Sequence, residues 1–256
     1  MQAEEKKRFL SSIIFPTLLV AAMWLVKVAE LAFDTRFAFL GILPREVSGL
    51  TGIITAPFIH GDLAHLSANS LPIWVLTSML FYFYKPIAWK TFFMIYVITG
   101  VWVWFWGRES YHIGASGVVY GLASFLFFSG LFRKDNRLLA ITFLVAFLYG
   151  SLVWGIFPEI FPEKNISWES HLMGLLSGVV LAFYYKGEGP QRKKYSWDLE
   201  EEEDDEDDVN AYWNKPLKKP IKKPQIKDQE KREPFQINYV YKEKAKEGDE
   251  GDGKDR

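Results

Sequence analysis

The chain has 256 residues and a formal net charge of -1, but its charges are distributed unevenly. Hydrophobic residues make up 49% of the chain and charged residues 24%, so apolar and polar stretches are separated along the sequence. The absence of cysteine excludes a disulfide framework, thiolate catalysis and cysteine-based zinc sites.

Six apolar stretches are long enough for transmembrane helices, each of which needs about 17 to 25 residues to cross the hydrocarbon layer. They are residues 9–33, 63–84, 87–106, 116–132, 138–157 and 168–185. The first stretch is too long for the apolar part of a signal peptide and lacks a small-residue cleavage site, so we expect an uncleaved span. The sequence therefore predicts an all-α polytopic membrane protein with six transmembrane helices in a membrane domain at residues 1–186.

Lysine and arginine in short loops predict how the spans are oriented, because these residues favour the cytoplasmic side. Cations precede the first span, flank alternate connections and follow the last span: Lys6, Lys7, Arg8, Lys85, Lys90, Arg133, Lys134, Arg137, Lys186, Arg192, Lys193 and Lys194. The opposite loops are poor in cations. Both termini are therefore predicted to be cytoplasmic.

Residues 187–256 have a different composition from the rest of the chain. These 70 residues carry 16 Lys/Arg and 20 Asp/Glu, including nine consecutive acids at 200–208. Such a segment cannot bury enough apolar surface to fold, so we predict a disordered cytoplasmic tail. The alternative is a docking segment for an unknown cytoplasmic partner, around Tyr212 and Trp213 or at residues 236–241.

Strongly polar side chains occur at the predicted outer ends of three spans. His65 and Asn69 lie four residues apart, and hence on one helical face, in the second span, Ser116 opens the fourth, and His171 lies near the start of the sixth. Strongly polar groups within a membrane span usually face a protein interior or a water-filled cavity. Because the fourth span reaches only ~25 Å, Ser116 is predicted to lie below the outer membrane surface, in a hydrated pocket.

Small residues predict that the fourth and sixth spans pack closely. Gly117 and Gly121 form one small-xxx-small pair, and Gly174 and Gly178 form another. Such pairs let transmembrane helices approach each other. We expect this contact to bring Ser116 and His171 within reach of each other.

Three motifs in these spans resemble those of the rhomboid intramembrane proteases. They are His60-x4-His65-x3-Asn69, Gly114-Ala115-Ser116-Gly117 and His171-x2-Gly174-x3-Gly178. The resemblance covers residues 9–186 and implies a six-helix rhomboid-like bundle. Two departures are the missing Trp-Arg pair in the first outer loop, residues 34–61, and Ser170 at a position where alanine is common.

The resemblance implies a role for each matching residue. Ser116 would be the nucleophile and His171 the general base, while His65, Asn69 and the Ser116 backbone N–H would form the oxyanion hole. The remaining matches would support the site: Tyr120 by stacking on the base, His60 as a structural histidine, and Gly114, Gly174 and Gly178 through the backbone.

Serine-protease chemistry requires the same residue types. A serine hydroxyl needs a base to take its proton, and a developing oxyanion needs hydrogen-bond donors. Glu169 is predicted to face away from His171, so we expect a Ser–His dyad instead of a triad. His112 is an alternative base, four residues before Ser116. Lys27 and Glu30 are predicted to form a local pair, with a proton relay as the alternative.

The expected function is an intramembrane serine endopeptidase that cleaves transmembrane protein substrates within the lipid bilayer. No cofactor, metal or nucleic acid is expected. One alternative is an inactive rhomboid-like protein that binds client transmembrane helices, although such relatives usually lose the serine or the histidine. The other is a small transporter or channel, which would show inverted repeats, broken spans in matching halves or charges along a pore. The usual location of the resembled family and the lack of a targeting sequence lead us to expect that the protein lies in a bacterial inner or plasma membrane.

Overall fold

The computed structural model describes residues 2–134 and 167–189, together with the single positions 139, 140, 143 and 191. The chain divides into two compact units, Met1–Lys194 and Tyr195–Arg256, and all the described residues lie in the first. The fifth predicted span and the predicted tail thus fall almost entirely outside the described residues.

The described residues form six α-helices: α1 Gln2–Ala32, α2 Gly52–Thr55, α3 Leu63–Phe83, α4 Ala88–Trp106, α5 Ser116–Phe132 and α6 Trp168–Tyr184. Three short 3-10 helices occupy the first outer loop, at Phe37–Leu40, Val47–Thr51 and Ala56–Phe58. Apart from one isolated bridge between Ile42 and His112, these residues contain no β-structure. The prediction of an all-α fold is therefore confirmed for this part of the chain.

Helices α1, α3 and α4 are long and apolar enough to cross a membrane, whereas α5 and α6 have 17 residues each. The count of six spans stays a prediction. The bounds of α5 match its predicted span. Helices α3, α4 and α6 are each one residue shorter than their predicted spans. Helix α1 begins earlier than predicted, and its Arg8 donates two hydrogen bonds, at 3.0 and 2.6 Å, to the carbonyl oxygen of Tyr82 in the last turn of α3.

Large apolar side chains are exposed on the outer faces of the helices. They include Leu18, Leu25, Leu71, Phe93 and Val180. Large exposed apolar patches are uncommon on water-soluble proteins. These faces are suited to contact with lipid chains.

Helices α5 and α6 pack backbone to backbone. A Cβ added at Gly174 would lie 2.0 Å from the carbonyl oxygen of Gly117, and one added at Gly178 would lie 2.0 Å from Ser124 Oγ. No side chain larger than hydrogen fits at either position unless the helices separate. The small-residue contact predicted from the sequence is therefore present, and it brings the N-terminal ends of the two helices together.

The first outer loop is fastened to α1 by a buried ion pair. Lys27 Nζ lies 2.9 Å from Glu30 Oε2 and also donates to the carbonyl oxygens of His60 and Gly61, at 2.9 and 3.1 Å. The other carboxylate oxygen, Glu30 Oε1, accepts from the Phe37 N–H at 2.8 Å. Because each charge has several partners, the pair can be buried. It fixes both the beginning and the end of a loop that lacks the Trp-Arg pair.

Candidate active site

The segment before α5 is held against the first outer loop by backbone hydrogen bonds. The His112 N–H donates to the Ile42 carbonyl oxygen at 2.8 Å, and the His112 carbonyl oxygen accepts from the Ile42 N–H at 2.9 Å. Two residues later, the Gly114 N–H donates to the Ala56 carbonyl oxygen at 2.9 Å. These bonds satisfy non-helical backbone that the sequence predicts to lie below the membrane surface.

Glycine is required at position 114 for two reasons. Its φ of +106° lies in a region that L side chains rarely adopt. A Cβ there would also lie 2.8 Å from Cε1 of the His65 ring. The backbone can therefore pass directly beneath this ring, two residues before Ser116.

Ser116 and His171 meet at the N-terminal ends of α5 and α6. His171 Nε2 lies 2.9 Å from Ser116 Oγ, within hydrogen-bond distance. His171 is buried and Ser116 is half-buried, so the hydroxyl is held by the fold yet accessible. The hydroxyl can donate to the unprotonated ring nitrogen, which places the base where it can take the serine proton.

Tyr120 lies one turn below Ser116 and stacks on the His171 ring. The two ring centroids are 4.2 Å apart and the planes are inclined by 11°. Because Tyr120 is itself buried, it offers a fixed surface to the imidazole. The stacking limits rotation of the ring away from Ser116.

Helix α3 places His65 and Asn69 on the same side of the site. Asp62 caps this helix by accepting from the His65 N–H at 2.7 Å, and this hydrogen bond lowers the pKa of the Asp62 carboxyl. Asn69 is buried, and its Nδ2 donates to the His65 carbonyl oxygen at 2.9 Å. The Ser116 N–H begins α5, where backbone donors have no acceptor within the helix.

His60 contacts both the His65 ring and the backbone directly before Ser116. Its ring packs edge-on against that of His65, with centroids 5.1 Å apart, and its Nε2 accepts from the Ala115 N–H at 3.4 Å. Burial, together with the neighbouring His65, lowers the pKa of His60 to about 4. The ring is therefore neutral near pH 7 and can act as an acceptor.

His112, the alternative base, contacts α6 instead of Ser116. Its Nδ1 lies 2.5 Å from Ser167 Oγ, and its Nε2 lies 3.1 Å from the Arg108 carbonyl oxygen. Glu169 is buried, with Oε1 3.4 Å from Arg108 Nε. Its carboxylate thus faces Arg108, in keeping with the expectation that it points away from His171.

Sequence reasoning missed Ser167, which caps α6. Its Oγ accepts from the Ser170 N–H at 3.4 Å and lies 2.6 Å from Ser170 Oγ. Serine directly before a helical stretch is a typical N-cap signal, and Ser170 had already been noted as a departure. These signals could have identified the cap, but not its contact with His112.

No metal site accompanies this arrangement in the described part of the chain. Residues 2–134 and 167–189 contain no group of three or more His, Asp or Glu side chains that could hold a metal ion.

Comparison with known proteins gives consistent matches. A family model described as rhomboid domain matches residues 47–188. An uncharacterized protein of Mycobacterium tuberculosis is 33% identical over 181 residues, which cover 68% of this chain and 74% of that protein. An uncharacterized protein of Mycobacterium leprae is 30% identical over 181 residues, 68% of this chain and 70% of its own length. A Bacillus subtilis protein named "Putative rhomboid protease YdcA" is 26% identical over 141 residues, 51% of this chain and 65% of that protein.

Proposed function

The chain belongs to the rhomboid family, and from this premise we propose that it is an intramembrane serine endopeptidase that cleaves transmembrane protein substrates. The observation that carries the proposal is the 2.9 Å distance between Ser116 Oγ and His171 Nε2. A hydroxyl and an imidazole from different helices, in contact beside further hydrogen-bond donors, form the minimum apparatus for acyl transfer.

In the first half of the reaction, His171 Nε2 takes the proton of the Ser116 hydroxyl while Oγ attacks the scissile carbonyl carbon. The carbonyl oxygen becomes an oxyanion in a tetrahedral intermediate. When the C–N bond breaks, the protonated His171 gives its proton to the leaving amine, and an ester on Ser116 remains. In the second half, His171 deprotonates a water that attacks the ester and then returns the proton to Ser116 Oγ.

His65, Asn69 and the Ser116 N–H are proposed to stabilise the oxyanion. An asparagine amide has two N–H donors, and the Asn69 bond to the His65 carbonyl uses one of them. The second donor is then available for charge that develops during the reaction. Gly114 supports this arrangement by letting the backbone pass under His65, and Gly174 and Gly178 support it by holding α6 against α5.

The proposed setting is a six-span membrane domain at residues 1–186 in a bacterial plasma membrane, with both termini cytoplasmic. The exposed apolar faces of the helices and the cations in alternate loops support this arrangement. Residues 187–256 are proposed to be a cytoplasmic tail available to a partner.

Labelling with a serine-directed fluorophosphonate in detergent tests the proposal. The unsubstituted chain should be labelled, Ser116→Ala should lose the label, and His171→Ala should reduce it strongly. Ser11→Ala, which changes an exposed serine on α1, is the matched control and should label normally.

Cleavage of a single-span substrate in reconstituted vesicles should follow the same order among the variants. Labelling that persists in Ser116→Ala would identify another nucleophile. Binding of transmembrane helices with neither labelling nor cleavage would favour the inactive, client-binding alternative.

A further inference from the structure

A second group of hydrogen-bonded side chains lies at the outer ends of α5 and α6, apart from the Ser116–His171 pair. It consists of His112, in the segment before α5, Ser167, the N-cap of α6, and Ser170, in the first turn of α6. His112 Nδ1 and Ser167 Oγ are 2.5 Å apart, and the two serine hydroxyls are 2.6 Å apart. His112 is buried, with 2% of its surface exposed.

The acceptors around His112 fix the direction of these hydrogen bonds. The Arg108 carbonyl oxygen, 3.1 Å from Nε2, can only accept, so Nε2 carries a proton. In a neutral ring Nδ1 is then an acceptor, and the Ser167 hydroxyl donates to it. Burial lowers the pKa of His112, which favours this neutral form, and the nearby charges of Arg108 and Glu169 act in opposite directions.

Ser167 controls the start of the helix that carries His171. Its hydroxyl oxygen accepts from the Ser170 N–H, and its carbonyl oxygen accepts from the His171 N–H at 3.3 Å. A displacement of the Ser167 backbone would therefore also displace the backbone of His171. The contact with His112 restrains that displacement.

His112 is fixed on its other side to the segment that carries the nucleophile. Its backbone makes two hydrogen bonds to Ile42, and it lies four residues before Ser116. The bond between His112 and Ser167 consequently joins the segment of Ser116 to the first turn of α6. This link lies above the close contact between Gly117 and Gly174.

We propose that His112 is a positioning residue: by accepting a hydrogen bond from the Ser167 hydroxyl, it sets the first turn of α6 and thereby the distance and angle between His171 and Ser116. The inference rests on the proposed function and adds to it a residue that does not touch the reacting atoms. Small misplacements of a catalytic group can lower a rate by about 10²-fold. The role of His112 is to prevent such a misplacement.

Two substitutions that introduce side chains of similar shape distinguish this role from simple packing. His112→Leu removes the acceptor, whereas His112→Asn keeps an oxygen at the position of Nδ1. For His112→Leu we expect the fluorophosphonate labelling rate and kcat to fall about 10- to 100-fold with little change in KM. His112→Asn should restore most of the loss, which a packing role would not predict.

Hydrogen exchange supplies a readout that needs no activity. In His112→Leu the amides of Ser170 and His171 should exchange about 2- to 10-fold faster, as expected when one hydrogen bond is lost. His112→Asn should return them to the original rate. The double variant His112→Leu/Ser167→Ala should be no worse than Ser167→Ala alone, because the two side chains act through one contact.

The outcomes distinguish this inference from the proposed function. Unchanged exchange in His112→Leu would overturn the inference whether or not the protein is active. Faster exchange with unchanged labelling would also overturn it, because the first turn of α6 would then not position His171. Absence of Ser116 labelling in the unsubstituted chain would instead contradict the proposed function. Thr17→Val, which removes a hydrogen bond from Trp74 between α1 and α3, is the control and should change neither readout.

Discussion

The two sides of the candidate site are organised differently. On the side of α5 and α6, Ser116 and His171 are already in contact, and Tyr120 holds the imidazole in place. On the side of α3, the Asn69 amide is hydrogen-bonded to the carbonyl oxygen of His65 in its own helix. The proposed nucleophile and base are thus in contact with each other, whereas one amide donor on the α3 side is bonded to its own helix.

This difference follows the order of events in acyl transfer. The base must contact the hydroxyl before any bond is made, so its position has to be part of the resting fold. The oxyanion donors act on charge that is absent until the carbonyl is attacked. Substitutions on the two sides should therefore change different kinetic quantities.

The largest effect is expected from the side of α5 and α6. Ser116→Ala and His171→Ala should each lower kcat by on the order of 10⁴- to 10⁶-fold, and the double variant should be no worse than either one. Such non-additivity is the signature of two groups that act as a unit. Turnover of a membrane substrate in vesicles measures it, and additive losses would mean that the two residues act in separate steps.

The next effect concerns Asn69 on the side of α3. Asn69→Ala should lower kcat about 10²- to 10³-fold and leave KM nearly unchanged, because the donor acts on charge developed in the transition state. Ser70→Ala, the neighbouring residue whose hydroxyl contacts Trp24, should behave like the unsubstituted chain. A rise in KM alone would place Asn69 in substrate binding.

A smaller effect concerns the stability of the α3 side in acid. Because burial lowers the pKa of His60 from 6.5 to about 4, the unfolded state binds more protons within this range. The free energy of unfolding should be fully retained above pH 6.5 and decrease by on the order of 3 kcal/mol as the pH falls to about 4. Denaturation in mixed micelles at several pH values measures the decrease.

His60→Gln, which keeps a neutral acceptor, is the control for this pH effect. Its stability should depend less steeply on pH between 6.5 and 4. Some slope should remain, because burial also lowers the pKa of His112. An unchanged slope would show that His60 is not the group that titrates.

The smallest effect returns to the α5 side. Tyr120→Leu should reduce the labelling rate about 2- to 10-fold, corresponding to an aromatic contact of ~0.5–1.5 kcal/mol. Tyr120→Phe keeps the stacking ring and should lie close to the unsubstituted rate. Equal losses in both variants would assign the effect to the hydroxyl instead of the ring.

The sequence could predict the contact between Ser116 and His171 because helical spacing and span orientation determine which residues share a depth. The bounds of α5 were also predictable, because Gly114 ends the loop and an apolar stretch follows Ser116. The distances and side-chain partners within the site required the structure.

The contact between His112 and Ser167 could not be predicted from the sequence. Neither residue lies within a helix, so helical periodicity does not fix the direction of its side chain. The first outer loop was equally unpredictable: Lys27 and Glu30 suggested a local pair, but their bonds to His60, Gly61 and Phe37 depend on how the chain returns to α1.

The buried Lys27 has a consequence for where this protein can be shortened. The recognised family segment starts at residue 47, after α1 has ended, yet Lys27 in α1 binds the backbone that leads into α3. A fragment starting at residue 47 would retain every residue proposed for catalysis while exposing the carbonyls of His60 and Gly61 and uncovering one face of α3. The family match therefore delimits a shorter stretch than cooperative folding requires, and a shortened chain should keep α1 whole.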